Sequence, residues 1–433
     1  MADTSSQSVA FVRTAEIPPS PPPVTESGAV KWVKENLFSG PFNTIMTLIG
    51  LFIVFWLLSG LIPWIVNGTW EGGDIRECRE ILQGSGGGCF AVISERWPQL
   101  LFGFQYPDYL RWRPAVAFLL LFLAVPPALF IMFLPRWTLV ASAVYPFVAY
   151  WLIWGGTILA PIFAALGFIA GYMVFVRAEK LKGFVAGMAA GVLAAAVTWT
   201  VGGWIAGFGE DFLALETVES RAMGGFMLNM ILGVVCVSLS IPLGIVLALG
   251  RQSRLPIVKG FCVVFIEFVR GVPLITLLFV ANVVLAYFFP PNSNPDLIIR
   301  VIIMITMFSA AYIAEVIRGG LAALPKGQYE AADSLGLDYP QAMRLIILPQ
   351  ALKISIPGIV NVAVGLFKDT TLVSVISMFD LVGMIRGPIL SSTDWTGVYW
   401  ELWAFACVLF FVVCYGISQY SQWLERYLRT DHR

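Results

Sequence analysis

The chain has 433 residues, of which 58% are hydrophobic and only 12% charged, with a mean hydropathy of +0.81. A water-soluble domain carries about 25% charged residues, so this composition excludes one and indicates a polytopic membrane protein. The 27 basic and 27 acidic residues cancel, leaving no basic surplus for nucleic acid, and a single histidine, His432, argues against histidine catalysis or a histidine metal site in the spans.

The first forty residues are polar and contain the run IPPSPPPV from Ile17 to Val24. No apolar run follows the start, so the segment reads as a disordered cytoplasmic tail over 1–40, not as a signal peptide. Crossing a bilayer takes about 20 apolar residues. Runs of that kind lie near 43–66, 115–134, 138–155, 157–176, 184–206, 224–249, 260–289, 297–317, 355–380 and 400–422. They predict an all-α bundle of about ten spans with both termini on the same, cytoplasmic side. The third and fourth share one apolar run, which Trp154, Gly155 and Gly156 are expected to break into two.

The polar loop over 67–113 holds Cys78 and Cys89, which an oxidising periplasm would either join or leave as two unpaired thiols. The other four cysteines, Cys236, Cys262, Cys407 and Cys414, sit in apolar runs, where a thiol behaves as a small hydrophobe. Gly183, Gly187 and Gly191 recur every fourth residue in the fifth run, a spacing that lets helices approach closely, here for packing inside the bundle.

Positive charge marks the cytoplasmic side. Arg136, Arg177, Lys180, Lys182, Arg251, Arg254, Lys259, Lys326, Arg344, Lys353, Arg426 and Arg429 all fall there in this topology, while 208–222 carries Glu210, Asp211, Glu216 and Glu219 against Arg221. The loop over 67–113 fits less well, with five arginines that nearby acids offset.

Charges in spans are costly and mark functional candidates. Glu267 and Arg270 are three residues apart, as are Glu315 and Arg318, so each pair can close along its own helix. Lys368 and Asp369 lie mid-span beside Thr370 and Thr371 and are expected to pair with other helices. Glu267, Arg270, Lys368, Asp369 and Thr370 form a candidate polar path for a zwitterion, with helix-anchoring charges as the plainer reading, which position favours for Glu315 and Arg318. Gly271 and Pro273 can loosen the start of the seventh span and bare its carbonyls.

The longest polar run of the second half is KGQYEAADSLGLDYPQAMRLIILPQALK, from Lys326 to Lys353. Tyr329, Ala332 and Leu335 share one helical face. Gly336 can end a helix with positive φ, Asp338 can cap a second one, and Pro340 suits its first turn. A short helix, a bend and another short helix would project as a knob.

These residues closely resemble the EAA signature of binding-protein-dependent ABC importer permeases: Glu330-Ala331-Ala332, Gly336, Ile346 and Leu348-Pro349, with every fixed position present. The stretches Pro242 to Arg251, Ile266 to Ile275, Ala310 to Ala332 and Leu366 to Ile376 resemble the polar amino-acid uptake branch, covering roughly 220–425. The long extension before it resembles the subgroup of larger general L-amino-acid and glutamate/glutamine/aspartate/asparagine (Bzt-type) permeases, the latter by length and tail.

The resemblance implies a type I importer core over 208–425, a coupling loop at 318–353 that docks on an ATPase dimer, and a tail over 426–433. Before the core stands an extension over 41–207 with a periplasmic loop at 67–113. It further implies a bacterial inner-membrane heterodimer with a second permease, fed by a periplasmic amino-acid-binding protein and importing polar L-amino acids by alternating access. The sequence contains no Gly-Lys dipeptide and hence no P-loop, so ATP would be hydrolysed by a partner, with no cofactor in this chain. An ion-gradient-driven secondary transporter is the alternative, without the internal repeats such folds show. An intramembrane hydrolase would need a nucleophile and base that no motif supplies.

Overall fold

The computed structural model describes residues 28–288 and 295–428. His432 and most of the expected N-terminal tail lie outside them. Part of that tail is ordered: Gly28–Asn36 form helix α1. Helix α2 spans Pro41–Val66, and with 82–88 these segments make one of two compact units. Within it, Gly88 N donates to Trp64 O at 2.8 Å, tying the loop back to the end of α2.

The second unit holds all other described residues. Its helices are α3 (Ile75–Leu82), α4 (Ala91–Phe102), α5 (Trp112–Leu129), α6 (Leu139–Trp154), α7 (Leu159–Lys182), α8 (Phe184–Phe208), α9 (Gly225–Arg251), α10 (Pro256–Gly271), α11 (Leu274–Phe279), α12 (Leu285–Tyr287), α13 (Leu297–Ala322), α14 (Lys326–Ser334), α15 (Tyr339–Ala342), α16 (Leu348–Asp369), α17 (Leu381–Met384) and α18 (Tyr399–Leu428). Across the described residues, nine helices are long and apolar enough to cross a membrane, or ten if a bent pair counts as one. The fold is all-α, with three isolated β-bridges among the described residues.

The break between α6 and α7 falls where the sequence places it, with Gly155 at φ 77° and Gly156 at φ 82°. Two expected spans are corrected. The seventh is not continuous: α10 and α11 meet at 103° at Val272-Pro273, because Pro273 lacks an N–H and sets its neighbour extended. The ninth leaves the α-helix at Asp369 and continues as a 3₁₀ turn over Thr370–Ile376. Lys368 and Asp369 therefore close a helix and do not sit in the middle of one.

Helices α9, α13 and α16 form the centre. A Cβ on Gly244 would stand 2.6 Å from Ile313, and one on Gly320 the same distance from the Ala351 carbonyl, so bare backbone sets how closely these helices approach. Leu247, Ile266, Ile313, Ile317, Ile347 and Ala351 fill one end of the core, and Leu228, Leu232, Leu278, Ile305, Val373 and Ile376 the other. Helices α7 and α8 pair as a hairpin, in which a Cβ on Gly171 would stand 2.9 Å from Gly191 O and one on Gly191 the same distance from Gly171 O. Gly183 does not share that helix face, since it forms the turn between the two helices at φ 85°.

The polar loop packs on the end of the core that holds Gly225 and Asp380. Cys78 and Cys89 are joined as a disulfide with Cα atoms 6.1 Å apart. Cys89 N donates to the buried Glu401 carboxylate of α18 at 2.9 Å, Ile75 N donates to Asp394 O at 2.8 Å, and Arg96 pairs with Asp394 at 3.2 Å. Gly225 approaches α4 so closely that a Cβ there would lie 2.5 Å from Leu100 O. The arginines that strain the charge rule are thus partly engaged in fixing this loop.

Candidate functional site

The knob forms as the local signals require. Helix α14 ends at Ser334, and Gly336 turns the chain at φ 68°. Asp338 Oδ1 accepts from Gln341 N at 2.9 Å while Gln341 Oε1 accepts from Asp338 N, a reciprocal capping box with Pro340 in the first turn. The second piece, however, is not a separate short helix. It runs through a π turn at Met343–Ile347 into α16, making one helical rod over Tyr339–Ile376. The second half of the knob and the helix that carries Lys368 and Asp369 are thus parts of one rod.

The expected apolar face also splits. Ala332 is 1% exposed and Tyr329 half-buried against the core, whereas Leu335 is 72% exposed. Leu335 follows the last turn of α14, so helical spacing no longer governs its direction. Glu330, Ala331, Gly336 and Pro349 are exposed, and Ile346 and Leu348 are half-buried. Tyr339 and Leu345 stand out at 59% and 64% exposure, giving the knob an apolar tip. Gln350 Nε2 donates to Gln328 Oε1 at 3.0 Å and holds α14 against α16.

The two expected charge pairs are one cluster. Arg251 Nη1 reaches Glu267 at 2.9 Å and Glu315 at 3.1 Å, Arg270 lies 3.5 Å from Glu315, and Arg318 pairs with Glu315. The same-helix contact between Arg270 and Glu267 is the longest, at 4.0 Å. Arg270 also lies over the Tyr312 ring at 5.6 Å. Arg251 is the residue sequence reasoning missed as the hub; its partners are 16 and 64 positions away, beyond any local spacing rule.

At the opposite end, Thr370 is fully buried and engaged. Asn229 Nδ2 donates to Thr370 Oγ1 at 2.9 Å and to Asp380 Oδ2 at 3.1 Å, and Asn229 Oδ1 accepts from Leu381 N. Asp380 also accepts from Gly383 N at 2.9 Å and caps α17. Burial pushes its carboxyl up to about 6, against the lowering effect of these donors. Arg300, also missed, donates from one buried Nη1 to Ala281 O and Asn282 O and so holds the π turn after α11. Asn229, Asp380 and Arg300 were visible only as polar residues in apolar surroundings. Lys368 is exposed, Asp369 is half-buried, and neither enters a salt bridge among the described residues, contrary to the expected pairing with other helices. No cluster of three metal-ligating side chains occurs among the described residues.

Residues 240–429 match the family model of the binding-protein-dependent transport system inner membrane component. The chain is 50% identical to the glutamate/glutamine/aspartate/asparagine transport system permease protein BztC of Rhodobacter capsulatus, covering 100% of both chains. It is 36% identical to the inner membrane amino-acid ABC transporter permease protein YhdY of Escherichia coli K12, over 95% of this chain and 96% of that one. A solved amino acid ABC transporter with histidines aligns with 47% of this chain and 92% of its own at 31% identity, with a TM-score of 0.42. With one relative half identical along its whole length and another matching almost as completely, the chain belongs to the family of binding-protein-dependent ABC transporter permeases, as a multi-pass membrane component.

Proposed function

We propose that this chain is the permease subunit of an ATP-driven importer of polar L-amino acids, of the glutamate, glutamine, aspartate and asparagine class. The observation that carries the coupling role is the knob: an exposed Glu330 and an apolar tip of Leu335, Tyr339 and Leu345, seated on a buried Ala332 and continuous with α16. Exposed apolar residues on an otherwise polar projection favour a protein partner, and an ATPase dimer is the partner that fits. Closure of that dimer on ATP pulls the knobs together and swings α16, opening the path away from the ATPase; hydrolysis resets it.

The chain sits in the inner membrane with both termini cytoplasmic, pairs with a second related permease, and receives substrate from a periplasmic binding protein. Glu267, Arg270 and Thr370 are occupied within the bundle, which leaves Lys368 and Asp369 to meet the carboxylate and ammonium of the substrate.

Cysteine at Leu335, not at the buried Ala332, is the position for crosslinking to the ATPase. A nucleotide-dependent crosslink together with glutamine uptake supports the reading; uptake that follows the proton gradient, without a crosslink, overturns it. Gly336→Asp is expected to abolish uptake with insertion intact, because an aspartate at φ 68° distorts the bend. Lys368→Ala should raise the apparent KM for the substrate; unchanged kinetics would assign it to structure.

A further inference from the structure

A polar cavity of about 320 Å³ opens at the disulfide end of the bundle, and Gln105, Arg221, Asn282, Asp296 and Ser377 are among its walls. Five separate segments supply them, and the fold holds each one. Phe104 packs edge-on against Phe379 at 5.5 Å and seats the loop of Gln105 on the core. Arg221 lies in the 3₁₀ turn Ser220–Ala222, which Trp154 Nε1 fixes by donating to Ser220 Oγ at 2.9 Å. Asn282 lies in the π turn Val280–Val284, whose carbonyls at Ala281 and Asn282 the buried Arg300 ties down. Asp296 is the N-cap of α13. Ser377 ends the 3₁₀ turn Thr370–Ile376 at φ 65°, a left-handed conformation that is costly for a residue with a side chain.

The charges in this frame do not cancel each other. No salt bridge joins Arg221 to Asp296. The side chains of Gln105, Arg221 and Asn282 make no hydrogen bond among the described residues. Asp296 gives one carboxylate oxygen to its capping bond, long at 3.4 Å, which leaves the other for a ligand. A simple anion drawn to Arg221 would face the Asp296 carboxylate, and a simple cation drawn to Asp296 would face the Arg221 guanidinium. A small molecule that carries both charges satisfies both walls.

We propose that this cavity is an entry site for the free amino acid, occupied before the substrate reaches Lys368 and Asp369. Arg221 takes the carboxylate, Asp296 takes the ammonium, and Asn282 and Ser377 meet the polar side chain, with Gln105 at the rim. The ligand class rests on the amino-acid import proposed above. The volume lies at the small end of ligand pockets, roughly 300–1,000 Å³, as suits a single amino acid. At about 2 Å per residue, the seven residues of the 3₁₀ turn put about 14 Å between Asp369 and the cavity wall at Ile376, so the two sites are distinct.

The test uses spheroplasts carrying the whole importer with Gln105→Cys in this chain, labelled from outside with a membrane-impermeant maleimide above the wild-type background. L-glutamine is expected to slow the labelling. Glutarate and diaminobutane, which carry only one sign of charge, should not. Arg221→Gln and Asp296→Asn should each raise the glutamine concentration needed about tenfold, as for the loss of one charged hydrogen bond. Asparagine caps a helix as well as aspartate does, so Asp296→Asn keeps α13 intact. Glutamine uptake, with the binding protein added back, is measured alongside. Uptake without protection overturns the entry site and leaves the importer standing. Protection without uptake supports the site and overturns the importer. Protection by the binding protein but not by glutamine overturns the site in favour of a protein-docking surface, and equal protection by glutarate overturns it in favour of simple anion binding.

Discussion

The two ends of the α9–α13–α16 core are closed by different physics. At the knob end, Arg251, Glu267, Arg270, Glu315 and Arg318 form a charged cluster whose side chains remain partly exposed, from 21% for Glu315 to 53% for Glu267. At the disulfide end, Asn229, Thr370 and Asp380 are fully buried and hydrogen-bonded, and the polar loop is stapled above them by Cys78–Cys89. Exposed ion pairs exchange readily with water and are weak individually. Buried networks are rigid once complete and destabilising when broken. The difference suits a bundle in which the knob end moves and the disulfide end holds the helices in register.

Breaking the buried network tests the comparison most severely. Asp380→Leu strands the Asn229 amide and two backbone N–H groups, and should destabilise the fold by about 3 kcal/mol or more, read as a large fall in Tm. A drop no larger than for a surface substitution would remove the contrast between the ends.

The same carboxyl predicts a pH dependence. Its folded-state value, about 6, stands above the ordinary 3.8, so folding favours the protonated form. That stability is fully present below about 4 and is lost as pH rises through about 6, a change of about 3 kcal/mol at most. Wild type should therefore lose Tm between these pH values relative to Asp380→Asn, in which the step is absent.

Removing the disulfide comes next. Cys78→Ser with Cys89→Ser opens a closure of 11 residues and should lower stability by about 2–3 kcal/mol, with reductant producing the same shift in wild type and none in the variant. The smallest effect is expected at the knob end. Arg251→Ala should change Tm by an amount equivalent to about 1 kcal/mol or less, shrinking further as salt is added. An effect as large as that of Asp380→Leu would mean that the cluster is a fixed support.

Much of the site was legible because its determinants are local. Gly336, Asp338 and Pro340 specify a bend and a capped restart from their own chemistry, and Gly155-Gly156 mark a turn in an apolar run for the same reason. The direction of Leu335 was not legible, since it lies past the last helical turn. Neither was the role of Arg251, which sits beside Glu267 and Glu315 only after α9, α10 and α13 have packed. Thr370 looked like a lining residue while its partner Asn229, 141 positions back, and Asp380, to which Asn229 also donates, were out of view.

The sequence by itself determined a membrane bundle, most of its spans, the bend of the knob and the transport family, because hydropathy, turn chemistry and a contiguous motif act over a few residues. Only the tertiary structure decided which charges meet, that the seventh span is broken at 103°, and that the knob is the head of a long rod. Which charges meet depends on how closely bare glycine backbone lets α9, α13 and α16 approach, and no local pattern carries that information.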